Sequence, residues 1–162
     1  MRSGTFTVYK SSGAAQFSLM PVRYSDKGFV EREGAVFLEV APGNGDKKNP
    51  TWDWKQKLTF AIGLNDICQC LDQTKDAVRS IHDNQGVLKT FEIRPGEGDF
   101  AGTFMLSLSE GEKTSRKQVR VPLNNGEYQV LMRLLVAAAP LMLNWTPASA
   151  LASGNDVQGK DN

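Results

Sequence analysis

The sequence predicts an α+β fold in which about four strands, a short helix, about four further strands and a long C-terminal helix follow one another. The first observation is a period-two alternation of apolar and polar residues, which recurs in short segments between turns rich in Gly, Asn and Asp. The second is that a mid-chain segment and a C-terminal segment carry apolar residues at helical spacing. Antiparallel strands with segregated helices form α+β domains, and 162 residues suffice for one domain with a core.

Strand signals dominate the first half of the chain. The segment from Trp52 to Ile62 alternates throughout, so both of its tryptophans are expected on the face that carries Leu58 and Phe60. We predict strands at Thr5 to Lys10, Gln16 to Met20, a short stretch near Phe29 and Val30, Ala35 to Ala41, and Trp52 to Ile62.

A short helix around Ile67, Cys68 and Leu71 separates the two halves, with Asn65 as its expected N-cap. Strand signals then resume, and Ser109 to Thr114 is expected to be a charged turn. The strands predicted in this half are Ala77 to His82, Val87 to Arg94, Phe100 to Leu108, and Arg116 to Leu123.

The final helix is predicted from about Asn124 to Trp145, with Asn124 or Asn125 as N-cap, Glu127 in the first turn and an irregularity at Pro140. Its apolar residues form two stripes. The first comprises Tyr128, Leu131, Met132, Leu135, Ala138, Ala139 and Met142, and the second comprises Val130, Leu134, Ala137 and Leu141. A small sheet covers one side of a helix, so we predict a subunit interface on the other. Residues 1–146 are assigned to the domain, and residues 147–162 to a disordered tail.

Composition and charge argue against several classes of protein. The net charge is +1, which indicates neither nucleic-acid binding by charge alone nor a polybasic membrane surface. The longest apolar run, from Leu134 to Leu143, is too short to span a bilayer, and the N-terminus lacks a signal core. Cys68 and Cys70 match neither a disulfide framework nor a zinc site, so we predict two buried or half-buried thiols.

The sequence contains no catalytic or metal-binding constellation. His82 is the only histidine, and a relay with Asp83 is geometrically poor because adjacent strand residues face opposite sides of a sheet. No serine lies in a Gly-x-Ser-x-Gly motif, the glycine-rich segment at 43–45 lacks the Walker lysine, and the carboxylates lack metal-ligand spacing. We therefore expect a protein that is not an enzyme and that carries no cofactor or metal.

Aromatic and basic residues that alternate on the predicted strands are the remaining candidates for function. Single-stranded nucleic acid offers bases that stack on aromatic rings and phosphates that lysines bind. The candidates are Tyr9, Trp52, Trp54, Phe91 and Phe104 for stacking, and Lys10, Lys55, Lys57 and Lys89 for phosphate contacts. The competing interpretation is that these aromatic residues close a hydrophobic core.

Several motifs in order resemble the Whirly family of single-stranded DNA-binding proteins, which is related in fold to the PC4 coactivators and to kinetoplastid guide-RNA-binding proteins. The resemblance runs from about Val8 to Trp145. It rests on Tyr9-Lys10-Ser11-Ser12-Gly13-Ala14-Ala15, Val40-Ala41-Pro42 before Trp52-Asp53-Trp54-Lys55, Leu64-Asn65-Asp66-Ile67, His82-Asp83, and Ala139-Pro140-Leu141-Met142-Leu143-Asn144-Trp145. The first motif departs from the family's Lys-Gly-Lys pattern, because it lacks the second lysine and carries two extra residues.

The resemblance implies two antiparallel four-stranded β-sheets per subunit, a homotetramer joined through the apolar C-terminal helices, and DNA that runs along sheet edges between subunits. It also implies largely sequence-independent binding that protects single-stranded DNA in replication, repair, recombination or DNA transfer. Two alternatives stay open: an RNA-binding or annealing protein on the same fold, and an assembly subunit without nucleic-acid affinity. We predict a cytoplasmic protein of bacterial, phage or plasmid origin, with a mature mitochondrial or plastid protein as the alternative.

Overall fold

The computed structural model describes residues 4–112 and 115–145, and within these ranges the chain forms two four-stranded sheets, a small hairpin and two α-helices. The helices are α1 (Leu64–Leu71) and α2 (Asn125–Met142). The strands are β1 (Thr5–Lys10), β2 (Gly13–Met20), β3 (Arg23–Tyr24), β4 (Val30–Arg32), β5 (Ala35–Pro42), β6 (Leu58–Ile62), β7 (Val78–Asn84), β8 (Val87–Pro95), β9 (Phe104–Glu112) and β10 (Ser115–Leu123). The predicted α+β class is confirmed. The predicted domain boundary at 146 and the tail at 147–162 lie outside the described residues.

The two sheets are antiparallel throughout. The first has the strand order β1-β2-β5-β6, and the second has the order β10-β9-β8-β7. The hairpin β3–β4 is inserted between β2 and β5. The two four-stranded sheets therefore agree with the predicted architecture.

The core collects the apolar face of each sheet, because alternate residues of a strand point to the same side. In β5, the side chains of Val36, Leu38 and Val40 are buried as the alternation predicts. The largest side chains that are fully buried are Phe60, Phe91, Leu38, Ile62, Leu106, Leu108, Leu123, Leu131, Leu135, Val40 and Val121. Both sheets and α2 thus contribute to one core cluster.

The predicted strand from Trp52 to Ile62 is wrong in its first half. Asp53 caps a single 3₁₀ turn at Trp54–Gln56, and its Oδ1 accepts hydrogen bonds from the backbone nitrogens of Lys55 (3.0 Å) and Gln56 (3.3 Å). Apart from an isolated antiparallel bridge between Trp52 and Gly43, strand pairing begins at Leu58. An aspartate that binds the next backbone N–H groups favours a turn over an extended chain, so the local hydrogen bonds prevail over the alternating pattern.

Other predicted boundaries also shift for local reasons. Gly63 caps α1 instead of Asn65, because the Asp66 carboxylate accepts the Gly63 N–H at 2.8 Å. A 3₁₀ turn at Gly98–Phe100 delays β9, which then continues to Glu112 through the region predicted as a turn.

Helix α2 confirms the two predicted stripes and their different environments. Asn124 caps the helix, with its Oδ1 accepting the Glu127 N–H at 2.8 Å while Glu127 Oε2 accepts the Asn124 N–H at 2.8 Å. Leu131, Leu135, Ala138 and Met142 of the first stripe are buried, whereas Val130, Leu134, Ala137 and Leu141 of the second are exposed. Among the described residues, no helix has the length and apolar character needed to cross a membrane.

The two thiols differ, which corrects the prediction that both are at least half-buried. Cys68 is exposed and Cys70 is buried. Burial, with a smaller contribution from the nearby Asp66 carboxylate, raises the pKa of the Cys70 thiol to about 12.

We expect iodoacetamide at pH 8 to modify one thiol per folded chain. A pKa of about 12 leaves only about one part in ten thousand of Cys70 as the reactive thiolate at that pH. Intact mass measurement should show a single adduct, and Cys68→Ser should remove it. A second adduct before denaturation would contradict the burial of Cys70.

Candidate nucleic-acid interface

Tyr9 and Trp52 form an aromatic corner at the end of the first sheet. Their ring centroids are 4.7 Å apart with planes inclined at 54°, and Trp52 Nε1 donates a hydrogen bond to the Lys10 carbonyl at 2.8 Å. Tyr9 is 53 % exposed, while Trp52 is half-buried. The indole is therefore fixed by its polar atom, and the phenol ring stands beside it with much of its surface in solvent.

The loop of residues 43–53 builds this corner by folding across the β1–β2 turn. The backbone nitrogens of Gly43 and Gly45 donate to the carbonyls of Ser12 (3.1 Å) and Ser11 (2.8 Å). A Cβ at position 43 would lie 2.2 Å from the Ser11 carbonyl oxygen, so this approach requires glycine. The glycine-rich segment thus places Trp52 against β1, as a turn and not as a phosphate loop.

A basic groove of about 350 Å³ lies between the 3₁₀ turn at Trp54–Gln56 and the hairpin formed by β9 and β10. Lys55, Lys57 and Lys117 line it together with Glu110, whose carboxylate pairs with Lys89, and Lys117 Nζ donates to Gln56 Oε1 at 3.3 Å. Among the described residues, no carboxylate lies within 4.0 Å of the ammonium group of Lys55 or Lys117. These two exposed cations therefore give the groove its unbalanced positive charge.

The other predicted lysines already have acidic partners. Lys10 Nζ lies 2.9 Å from Glu127 Oε1, and Lys57 pairs with Glu39. Lys89 Nζ lies 3.4 Å from Glu110 Oε2 and also donates to the Thr59 carbonyl at 3.2 Å. Their positive charge is partly offset, so Lys55 and Lys117 are the stronger candidates for phosphate contacts.

Trp54 lies in the chain between Trp52 of the aromatic corner and Lys55 of the basic groove. It begins the 3₁₀ turn two residues after Trp52 and directly before Lys55, and it is half-buried. Because the turn replaces the predicted strand, Trp52 and Trp54 do not form one flat platform.

Comparison with known proteins agrees with the fold and the motif order. The family model described as "Whirly transcription factor" matches residues 8–134. The chain belongs to the Whirly family. A potato (Solanum tuberosum) relative named "Single-stranded DNA-binding protein WHY1, chloroplastic" is 26 % identical in an alignment 172 residues long, gaps included, that covers 97 % of this chain. The chain spans only 61 % of the length of that curated relative.

Solved Whirly structures share the fold of this chain. WHY1 from Arabidopsis thaliana superposes with a TM-score of 0.80 at 16 % identity, covering 100 % of this chain and 97 % of the other. The plant transcriptional regulator PBF-2 superposes with a TM-score of 0.76 at 24 % identity, covering 98 % and 91 % of the two chains. These likenesses establish the Whirly architecture of the two sheets and the helices.

The rings of two predicted stacking residues, Phe91 and Phe104, are covered by other side chains and are not open to a base. Phe91 is fully buried, with its ring centroid 5.5 Å from that of Phe60. Phe104 is half-buried, and Tyr128 covers its ring at a centroid distance of 3.7 Å and an angle of 11°. Both lie on the side of their strands that faces the core, so the interpretation of these aromatic residues as core residues is the correct one.

We expect Phe91→Ala to lower the free energy of unfolding by about 3–5 kcal/mol, because it removes a fully buried ring and leaves a cavity. Urea denaturation followed by circular dichroism measures this change. Phe29→Ala is the control, since Phe29 is 71 % exposed and its loss should change stability by less than about 0.5 kcal/mol. Equal stability of the two variants would refute the core placement of Phe91.

Strand β10 carries basic residues that the sequence interpretation did not include in the site. Lys117 lines the basic groove, and the Arg120 carbonyl accepts a hydrogen bond from Ser12 Oγ at 3.1 Å. The concentration of Arg116, Lys117 and Arg120 within one exposed edge strand was the available signal. The sequence alone does not show that this strand lies beside the 3₁₀ turn and the β1–β2 turn, because these contacts join distant parts of the chain.

His82 has a structural partner other than its neighbour in sequence. Its Nε2 lies 3.2 Å from Asp66 Oδ2, and its ring stacks on Phe60 with centroids 4.2 Å apart. Asp66 lies in the first turn of α1, where its carboxylate also accepts the Gly63 N–H. The contact with His82 therefore joins β7 to this helix. In residues 4–112 and 115–145, no group of three or more His, Cys, Asp or Glu side chains is placed to hold a metal ion.

Proposed function

We propose that this Whirly-family chain binds single-stranded DNA, largely without sequence preference, by stacking on the aromatic corner and by phosphate contacts in the basic groove. The observation that carries the proposal is that Lys55 and Lys117, which lack acidic partners among the described residues, lie in a groove close in the chain to Trp52, the half-buried partner of the exposed Tyr9 ring. Membership of the Whirly family supports it, and so does the potato relative, which is named as a single-stranded DNA-binding protein.

The geometry favours a single strand over a duplex. The exposed face of Tyr9 can stack on a base only if the base is unpaired, and stacking tolerates any base. With a net charge of +1, the chain has little of the long-range attraction on which non-specific duplex binding depends.

The direct test is a fluorescence-anisotropy titration of labelled oligo-dT of about 30 nucleotides at two salt concentrations, with a duplex of equal length as competitor. We expect tight binding that the duplex does not displace. A matched oligoribonucleotide tests the RNA alternative, because only RNA offers a 2′-hydroxyl. Absence of binding at low salt would refute the proposal and favour the assembly subunit.

We expect Tyr9→Ala to weaken oligo-dT binding by about 1–3 kcal/mol, or roughly 5- to 150-fold, with an unchanged salt slope, because stacking releases no counterions. The same anisotropy titration measures both quantities. Tyr24→Ala is a matched control, since Tyr24 is similarly exposed (44 %) but lies in the β3–β4 hairpin. A change in affinity that is equal for the two variants would remove Tyr9 from the site.

We propose in addition that the chain assembles as a homotetramer through α2. Val130, Leu134, Ala137 and Leu141 form an exposed stripe, and the last three of them line a cleft of about 420 Å³ whose other wall includes Phe6, Phe17 and Leu19. A continuous apolar surface of this kind on a soluble protein marks a protein contact.

The biological role we propose is protection of single-stranded DNA in replication, repair, recombination or DNA transfer. The potato relative is a chloroplast protein, which supports the organellar alternative over the bacterial, phage or plasmid origin. That the chain is not an enzyme stays a prediction from its sequence and family.

A further inference from the structure

A second cleft, of about 300 Å³, lies on the face of the second sheet that points away from the core. Arg120 stands between buried Val119 and Val121 on β10, so its side chain points to the outer face. Register places Met105 beside Pro122 and Arg94 on that same face. We call this the arginine cleft and define it by Ser12, Arg94, Phe100, Met105, Arg120 and Pro122.

The arginine cleft contains one arginine without an acidic partner, Arg120, and one whose charge is partly offset, Arg94. Among the described residues, no carboxylate lies within 4.0 Å of the Arg120 guanidinium, while Arg94 Nε is 3.6 Å from Glu92 Oε1. Glu97 is the acidic residue in the lining itself. Arginine binds phosphate oxygens through two parallel hydrogen bonds and also stacks on flat rings, which suits both parts of a nucleotide.

Phe100 adds an aromatic surface that is 45 % exposed. Its loop is closed by hydrogen bonds from Gly96 N to the Thr103 carbonyl (2.8 Å) and from Thr103 N to the Phe100 carbonyl (3.0 Å). A Cβ on Gly96 would lie 2.2 Å from the Phe100 carbonyl oxygen, so the closure depends on glycine. A loop closed in this way loses little backbone conformational entropy when a base stacks on its phenylalanine.

The β1–β2 turn joins the arginine cleft to the aromatic corner. Ser12 Oγ donates to the Arg120 carbonyl at 3.1 Å, and the carbonyls of Ser11 and Ser12 accept hydrogen bonds from Gly45 and Gly43 of the loop that carries Trp52. The two surfaces therefore flank one short turn, and a strand that leaves the corner can continue into the cleft.

We propose that the arginine cleft is an additional nucleotide subsite for single-stranded DNA. A base stacks against Phe100 and Met105, and the adjoining phosphates bind Arg94 and Arg120. This inference rests on the proposed function and extends the DNA path from the aromatic corner across the β1–β2 turn to the outer face of the second sheet.

Photo-cross-linking of the full chain to oligo-dT that contains 5-iododeoxyuridine, followed by peptide mass spectrometry, tests the path directly. We expect cross-linked peptides that contain Phe100 as well as peptides from the aromatic corner. We also expect Phe100→Ala/Arg120→Ala to weaken oligo-dT binding at least about tenfold, because it removes one stacking and one phosphate contact. Phe29→Ala/Arg32→Ala removes an exposed ring and an exposed cation from the β3–β4 hairpin and is the matched control.

The outcomes separate the subsite from the function. The subsite proposal would be refuted if the wild type binds oligo-dT without a Phe100 cross-link and a folded Phe100→Ala/Arg120→Ala variant keeps its affinity. DNA binding at the aromatic corner would then still stand. Absence of wild-type binding would overturn both. Because both substituted side chains are exposed, circular dichroism should show the double variant folded as the wild type.

Discussion

Leu134→Glu is expected to convert the proposed homotetramer to a monomer. Leu134 is 43 % exposed in the isolated chain and lies in the middle of the apolar stripe on α2. In a symmetric assembly, the substitution repeats in every subunit, so each interface receives more than one carboxylate. Burying an unpaired carboxylate costs several kcal/mol, which exceeds what a single apolar contact contributes. Light scattering coupled to size exclusion should show the mass falling from about four times 17.8 kDa to 17.8 kDa.

Gln129→Glu is the matched control for this prediction, because it introduces the same carboxylate at an exposed position of the same helix, off the stripe. It should leave the mass unchanged. Urea denaturation should show both variants folded, since neither substitution touches the buried stripe. A wild-type protein that is monomeric at micromolar concentration would refute assembly through α2, and so would a Leu134→Glu variant that stays assembled.

The second large effect is expected for Lys55→Ala/Lys117→Ala, which should weaken binding of single-stranded DNA and reduce its salt dependence together. Each phosphate contact on a single strand releases about 0.7 counterion, so losing two should lower the magnitude of the log–log salt slope by about 1.4. At about 0.1 M salt, losing this counterion release should weaken the affinity roughly 25-fold. Anisotropy titrations of oligo-dT at four or more salt concentrations measure both quantities.

A control for net charge is needed, because the double variant also lowers the charge of the whole chain by two. Lys27→Ala/Lys75→Ala removes two exposed lysines from the β3–β4 hairpin and from the segment after α1, and it makes the same change in net charge. It should leave the salt slope unchanged. Equal slopes for the two double variants would show that the basic groove does not contact phosphates, whatever the change in affinity.

The two substitutions also separate assembly from binding. Leu134→Glu alters a helix face that carries none of the proposed DNA contacts, and Lys55→Ala/Lys117→Ala alters a groove formed within one chain. If binding sites on one assembly share a long strand, the monomer should bind short oligo-dT normally and lose affinity only for long oligo-dT. If the monomer also loses affinity for short oligo-dT, part of the binding site lies across the subunit interface.

Local chemistry in the sequence was enough for the strands of the core and for α2. Alternation in β5 predicted the buried face of Val36, Leu38 and Val40, and Asn124 or Asn125 as N-cap, with Glu127 in the first turn, predicted where α2 begins. The two stripes of α2 separated into a buried and an exposed face as their helical spacing indicated. Local chemistry also explains the main error, because the Asp53 carboxylate binds its own backbone and turns the chain at Trp54.

The sequence by itself therefore determined the α+β class, the family resemblance, the stripes of α2 and part of the set of aromatic and basic residues from which the site is drawn. Lys117 and the residues of the arginine cleft were added by the tertiary structure. Only the tertiary structure decided which of those residues face water. Period-two alternation says that residues share a face but not which face is covered, so Tyr9 and Phe91 looked equivalent while one is 53 % exposed and the other is fully buried. Likewise, the charge of a lysine is offset by carboxylates from distant segments: Lys10 meets Glu127 across the fold, whereas Lys55 and Lys117 meet none among the described residues.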